Sequence, residues 1–333
     1  MHWGRKPLSY SSFSRVIMPA LSFFKNFKRY YGVNMRLKNL FIGVIIMVSA
    51  YISAAELKVL TIGNSFADSV FVYLPQIAAA MPDCKLVLER ANLPGCSLKR
   101  HWELVEKSTA DETVKPYNGK SLKEILQSEK WDYVTLQQAS PYSWREESYQ
   151  PYLSNLLEFV HTNAPTAEVV LQQTWCYRFD DPRLAEWQIT PVQMYQNILA
   201  CYNKFAAELK LRQIPTGYAV NMARETQDVK FKEYDLAAVN SLQYPAELPD
   251  QTGSLVNGIW WGKGDDGSFL LRRDAYHLNK RGQYLQACLW FEFLFKTPAT
   301  KIEFAPPEIT PEDAGFLRET AHQSLLDFKQ VNQ

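Results

Sequence analysis

The five cysteines (Cys84, Cys96, Cys176, Cys201 and Cys288) include no C-x-x-C pair, and no histidine stands at a zinc-like spacing from them. A metal site is therefore not expected. An odd number of thiols leaves at least one outside any disulfide, so these residues read as small core hydrophobes. No G-x-S-x-G elbow occurs, which sets aside the α/β-hydrolase type of serine enzyme. Phosphate-binding glycine loops are not expected either, and with them no tightly held cofactor. Asp and Glu are missing from residues 1–55, which hold eight Lys/Arg, so the rest carries 28 basic against 35 acidic residues. A body that acidic argues against a nucleic-acid partner.

What is present begins with an export pattern. Residues 35–55 read as a basic stretch, an apolar run at 40–51 and then small residues, with cleavage expected after Ala54 or Ala55. The apolar run is shorter than the roughly 20 residues that a spanning helix needs, so no stable membrane span is expected and the protein is expected in the periplasm or outside the cell. Residues 1–34 precede a good start methionine and show no helical or strand period; they read as an over-extended start or a leader. Residues 56–333 are then expected to form one domain. The 47% hydrophobic and 14% aromatic content is enough for one large core.

From Glu56 onward short β-branched runs alternate with longer amphipathic segments, the pattern of an α/β fold with a parallel sheet covered by helices on both faces. Strands are predicted at 57–62, 85–90, 133–137, 169–172 and 213–218. Helices are predicted near 70–80, 98–107, 121–127, 152–163, 194–211, 280–295 and 311–332. Asn279 is placed to cap the helix at 280, whose stripe of Tyr284, Leu285, Cys288 and Leu289 reads as core. The region 223–269, punctuated by Gly and Pro, reads as an irregular insertion near the site.

Two short blocks carry the chemistry. The first strand ends in Gly63-Asn64-Ser65, which places a serine at the carboxyl edge of a parallel sheet, where such folds bind ligands. Near the other end, Asp274-Ala-Tyr-His277 puts a carboxylate three residues before a histidine. That spacing lets the carboxylate orient the ring through Nδ1 and leaves Nε2 to take a proton from a serine hydroxyl. Trp175, Tyr177, Trp260, Trp261 and Tyr276 are candidates for an aromatic rim suited to sugar rings, and Asn64, beside the serine, is a further candidate contact. His101 is read as approaching the cleft or covering a helix face. Arg272 and Arg273 are read as steering an anionic substrate or as solvated.

In these two blocks and their order the chain resembles the SGNH (GDSL-like) hydrolases. The resemblance implies a flavodoxin-like three-layer α/β/α sandwich with a central parallel sheet of about five strands. It also implies ester hydrolysis through an acyl-enzyme, with Ser65 as nucleophile and Asp274 and His277 completing a triad. The family's second block supplies an oxyanion glycine, and Gly95 in Asn92-Leu-Pro-Gly-Cys-Ser97 stands where it is expected. The third block usually carries Gly-x-Asn-Asp; here Leu136-Gln137-Gln138-Ala-Ser140 stands in its place, and Gln137, with Gln138 as fallback, is expected to supply the amide donor. Export and aromatic richness favour removal of acetyl groups from a carbohydrate. A lipase or lysophospholipase of the same fold, or a glycan-binding protein without catalysis, are the alternatives.

Overall fold

The computed structural model describes residues 56–331; the expected leader at 1–34 and the export segment at 35–55 lie outside the described residues. Five parallel strands form the central sheet in the order β2-β1-β3-β4-β5. They are β1 (Glu56–Gly63), β2 (Lys85–Asn92), β3 (Tyr133–Leu136), β4 (Glu168–Gln172) and β5 (Arg212–Ile214). In β1 the run Val59 to Gly63 is buried without alternation, as a strand covered on both faces must be. Its register runs from Glu56 opposite Lys85 to Gly63 opposite Asn92 on one side, and from Val59 opposite Tyr133 to Ile62 opposite Leu136 on the other. The chain leaves β1 toward one edge and returns to build toward the other, so β1 and β3 flank the switch point at which parallel sheets bind ligands.

The helices are α1 (Ser65–Asp68), α2 (Leu74–Ala80), α3 (Leu98–Ala110), α4 (Leu122–Ser128), α5 (Tyr152–Asn163), α6 (Pro182–Glu186), α7 (Pro191–Leu209), α8 (Thr216–Thr226), α9 (Leu236–Asn240), α10 (Lys280–Phe295) and α11 (Pro311–Val331). The helix α2 that follows β1 packs with α10 on one face, while α3 and α4 pack with α5 on the other, which makes three layers. On the first face α10 packs on α2, α8 and α11. The predicted stripe of α10 is only part of its buried surface: Trp290, Phe291 and Gln286 are buried too, since α11 packs along this helix and the Gln286 amide bonds Ser69 and the Phe66 carbonyl. Each large apolar side chain so buried stabilises the fold by roughly 1.5–3 kcal/mol.

Three expectations need correction. The strand predicted at 213–218 ends at Ile214, because Pro215 has no N–H for the ladder and α8 starts at Thr216. The stretch 223–269 is not irregular throughout: it holds the end of α8, the short α9 and most of an antiparallel hairpin, β6 (Ile259–Lys263) and β7 (Phe269–Arg273). Gly262, Gly264 and Gly267 have the G-x-G-x-x-G spacing, which the expectation of no glycine loop did not allow for. They lie at the hairpin's tip, where Gly264 N–H donates to Ser268 C=O at 2.7 Å, and no helix follows to bind a phosphate.

Candidate active site

Ser65 is the first residue of α1, and its position follows from Asn64. The Asn64 Oδ1 accepts from Phe66 N–H at 3.1 Å and caps the helix, while Nδ2 donates to the Cys96 carbonyl at 3.1 Å. Asn64 is 2% exposed with both ends of its amide bonded, so it is a clip between the first strand and the 92–97 turn and not a substrate contact. Leu93 N–H donates to Gly63 C=O at 3.2 Å and adds a second stitch between the same segments.

His101 lies beneath this joint. It is fully buried, with Nε2 2.9 Å from the Gly63 carbonyl and Nδ1 2.8 Å from the Tyr117 hydroxyl. A carbonyl only accepts, so Nε2 carries the hydrogen and Nδ1 accepts from Tyr117. Burial pushes the imidazole down to about 4, so it is neutral at pH 7. His101 is thus neither in the cleft nor on a helix surface; it ties α3 to the strand end that bears Ser65.

The Asp274–His277 turn reaches Ser65 from the far end of the chain. His277 Nε2 is 2.8 Å from Ser65 Oγ, and His277 Nδ1 is 3.1 Å from Asp274 Oδ2. The ionised carboxylate accepts from Nδ1–H, which leaves Nε2 as the acceptor for the serine hydroxyl. Burial by itself would raise the Asp274 carboxyl; bonds from the His277 ring, the Asn257 amide at 3.0 Å and the His277 N–H outweigh it and hold the group at about 2. The turn is fixed on each side: Trp175 Nε1–H donates to Tyr276 C=O at 2.7 Å, Arg178 N–H to Ala275 C=O at 2.8 Å, and Asn257 N–H to His277 C=O at 2.8 Å.

Three groups that could donate to an oxyanion are without partners. The Ser65 N–H stands at the first position of a helix, where no intrahelical acceptor exists, and none of the described residues accepts from it. Gly95 has φ +60 in an exposed turn, and its N–H makes no hydrogen bond among the described residues. Gln137 is buried, and neither Nε2 nor Oε1 of its amide has a partner. The amide lies against the end of β1: a Cβ on Gly63 would come within 3.1 Å of it. Gln138, the expected fallback, is corrected. Its Oε1 accepts from Leu98 and Ala139 N–H, and its Nε2 donates to the Ser148 carbonyl and hydroxyl, so both ends of the amide are committed to structure.

The predicted rim is partly dispersed. Trp175 is fully buried and stacks on Phe66 with ring centroids 4.1 Å apart, so it is core and holds the Tyr276 carbonyl. Tyr177 is buried as well, with its hydroxyl 2.8 Å from Ser140 Oγ. Tyr276 is partly exposed, its ring 4.1 Å from that of His277, so it does line the site. Trp260 and Trp261 belong to the hairpin that leads into Asp274. Arg273 is engaged with Asp180 at 3.4 Å and Asn240 at 2.7 Å, whereas Arg272 is exposed.

Sequence reading missed Asn257 and the buried group behind the turn. There Asp180 accepts from Arg178 Nε and Nη2 at 2.6 and 2.7 Å and from the Tyr234 hydroxyl at 2.6 Å, while Arg178 Nη1 donates to Gln251 at 2.9 Å. The signal available was the Arg-Phe-Asp-Asp run at 178–181, but its partners Tyr234 and Gln251 lie 56 and 73 residues from Arg178. Among the described residues no group of three or more His, Cys, Asp or Glu side chains could hold a metal ion.

A family model described as "Domain of unknown function (DUF4886)" matches residues 58–238. A solved DUF4886 family protein from Bacteroides uniformis is similar at 25% identity and TM-score 0.62, with 81% of this chain and 95% of that chain covered. A GDSL-like lipase from Bacteroides thetaiotaomicron is similar at 12% identity and TM-score 0.37, covering 73% and 88%. An acetyl xylan esterase is similar at 11% identity and TM-score 0.39, covering 70% and 98%. No curated protein matches. The family model spans more than half of the sequence, and the chain therefore belongs to the DUF4886 family.

Proposed function

We propose that this protein is a serine esterase of the SGNH type that removes acetyl groups from carbohydrate. The observation that carries the reading is the continuous relay from Asp274 through His277 to Ser65, with contacts of 3.1 and 2.8 Å, set at the carboxyl edge of the sheet. A binding module has no use for that alignment. The unpartnered donors beside it supply what acyl transfer needs next.

In this mechanism Ser65 Oγ attacks the ester carbonyl as its proton passes to His277 Nε2. The carbonyl oxygen takes up the negative charge and is held by the Ser65 and Gly95 N–H groups and the Gln137 amide. When the intermediate collapses, His277 returns the proton to the departing sugar hydroxyl, leaving acetyl on Ser65. Water, deprotonated by His277, then attacks the acyl-enzyme; acetate leaves and Ser65 regains its proton. Asp274 holds the imidazole in the required tautomer throughout.

The test is hydrolysis of p-nitrophenyl acetate and of acetylated xylan oligomers by the protein and by Ser65→Ala and His277→Ala. Each substitution is expected to lower kcat by about 10⁴–10⁶-fold. Turnover that survives Ser65→Ala would remove this reading. One observation favours a lipid ester instead: Tyr244, Trp260, Phe269 and Leu270 are 40–50% exposed on the segment stacked against the hairpin and on the hairpin, whose second strand leads into Asp274. A rate that climbs from acetate to octanoate esters would select that alternative.

A further inference from the structure

The hairpin β6–β7 has one side in use and one side open. Its register sets Trp260 opposite Arg272 and Gly262 opposite Leu270 on one side, and Ile259 opposite Arg273, Trp261 opposite Leu271 and Lys263 opposite Phe269 on the other. The second side is committed to segment 240–246. There Trp261 Nε1–H donates to the Ala246 carbonyl at 2.8 Å, Arg273 donates to Asn240 at 2.7 Å, and the Phe269 ring stacks on that of Tyr244 with centroids 4.1 Å apart. On the first side Trp260 is 45% and Leu270 48% exposed, and Arg272 is exposed too. Neither the Trp260 indole N–H nor the Arg272 guanidinium has a hydrogen bond or ion pair among the described residues.

Gly262 brings these two groups together. A Cβ there would stand 2.6 Å from Arg272 Cγ, 3.3 Å from Arg272 Nε and 3.4 Å from Trp260 Nε1. The Arg272 stem therefore lies across the bare glycine backbone, and its Nε comes to rest on the same spot as the indole N–H. The result is a pair of donors open to water, flanked by the apolar surface of Trp260 and Leu270.

The open side leads to the relay. Asp274 N–H donates to Gly258 C=O at 2.9 Å, so the ladder runs on past the end of β7, and residues 270, 272 and 274 share one side of it. Arg272 is thus one strand repeat, about 7 Å, from Asp274. The Asp274 carboxylate is in turn 3.1 Å from His277 Nδ1, and His277 Nε2 is 2.8 Å from Ser65 Oγ.

A ligand for this face must bring C–H surface and oxygen acceptors together. An acyl chain brings only the first and would cover both donors without an acceptor, which is costly. A pyranose ring brings both, with C–H groups on its faces and hydroxyls on its rim. We propose that Trp260, Arg272 and Leu270 form a subsite for a sugar unit of a glycan chain, away from the ester-bearing unit at Ser65. This rests on the carbohydrate reading for its ligand class, but its test needs no turnover.

Calorimetry measures the binding of xylohexaose, mannohexaose and a galacturonate hexamer to the protein. At least one is expected to bind, and for that one Trp260→Ala should weaken binding by about tenfold or more and Arg272→Gln by about fivefold. Gly262→Ser, which pushes the Arg272 stem off the strand and leaves Trp260 in place, should cost about as much as Arg272→Gln. Phe269→Ala, on the opposite side, should leave the affinity within about twofold, which separates loss of the subsite from loss of the hairpin. If Trp260→Ala melts too low to assay, the Arg272 and Gly262 variants carry the test. Binding of none of the hexamers, an affinity indifferent to Trp260 and Arg272, or an equal loss in Phe269→Ala would overturn the proposal. So would Trp260-dependent sedimentation with phosphatidylglycerol vesicles in place of sugar binding, which would assign the face to lipid. Hexamer binding without Ser65-dependent hydrolysis would sink the esterase reading and keep this one; Ser65-dependent turnover of p-nitrophenyl acetate with no hexamer bound would do the reverse.

Discussion

Gln137 and Gln138 stand side by side after β3, yet one amide is bonded at neither end and the other at both. Their variants should therefore separate activity from stability. Gln137→Leu keeps the volume and removes an unmatched buried amide, so kcat should fall about 10²–10³-fold while the melting temperature holds or rises. Gln138→Leu should instead lower stability by about 1–3 kcal/mol, because four partners lose their bonds. Equal losses of kcat and stability in both variants would contradict these roles. Asp274, held at about 2, should stay ionised across the working range, so Asp274→Asn should cut kcat by about 10³–10⁴-fold at pH 7. The contact of Ser65 with His277 and Asp274 was legible in the sequence because their two blocks match, in residue type and order, those of the family the chain resembles. The choice between adjacent glutamines was not, since it depends on which side chain finds partners in segments tens of residues away.

Among elements, the five strands of the sheet and seven helices were legible, while α1, α6, α8 and α9 were not. Ser121 and Glu124 form a capping box at α4, and Thr190 and Gln193 form another at α7, so their starts are written locally. The hairpin β6–β7 was not legible, because its strands pair only with each other and carry Gly262 and exposed apolar residues in place of a clean alternation. Gly217 in α8 shows tertiary packing overruling propensity. Alanine is normally better in a helix by up to about 1 kcal/mol, but here its Cβ would meet the Thr174 carbonyl at 2.2 Å. Gly217→Ala is thus expected to destabilise by about 1–3 kcal/mol in denaturant unfolding, and a gain in stability would show that the α8–Thr174 contact yields easily.

For the whole molecule, the buried His101 couples stability to pH. Its pKa is lowered from 6.5 to about 4 in the folded protein, so below pH 6.5 the unfolded chain takes up a proton that the folded one refuses. Stability supported by the neutral ring is complete above pH 6.5 and is lost progressively as pH falls toward 4. His101→Gln should flatten the melting temperature between pH 6.5 and 4, even if its absolute value is lower. An unchanged slope would mean that other groups govern acid unfolding. A parallel sheet with helices on both faces could be anticipated from the α/β alternation, and its three-layer layout from the family resemblance. The Arg178–Asp180–Tyr234 group could not, because it joins segments with no shared periodicity.

Ser65 and His277 are separated by 212 residues, one following the first strand and the other preceding a late helix. A ribosome therefore releases the nucleophile long before its base, and until α10 docks Ser65 is a serine of ordinary reactivity. On the proposed esterase mechanism, turnover would therefore report that synthesis and folding are complete. A chain that stalls before residue 274, or is clipped and loses its last segments, holds Ser65 without the histidine proposed to activate it.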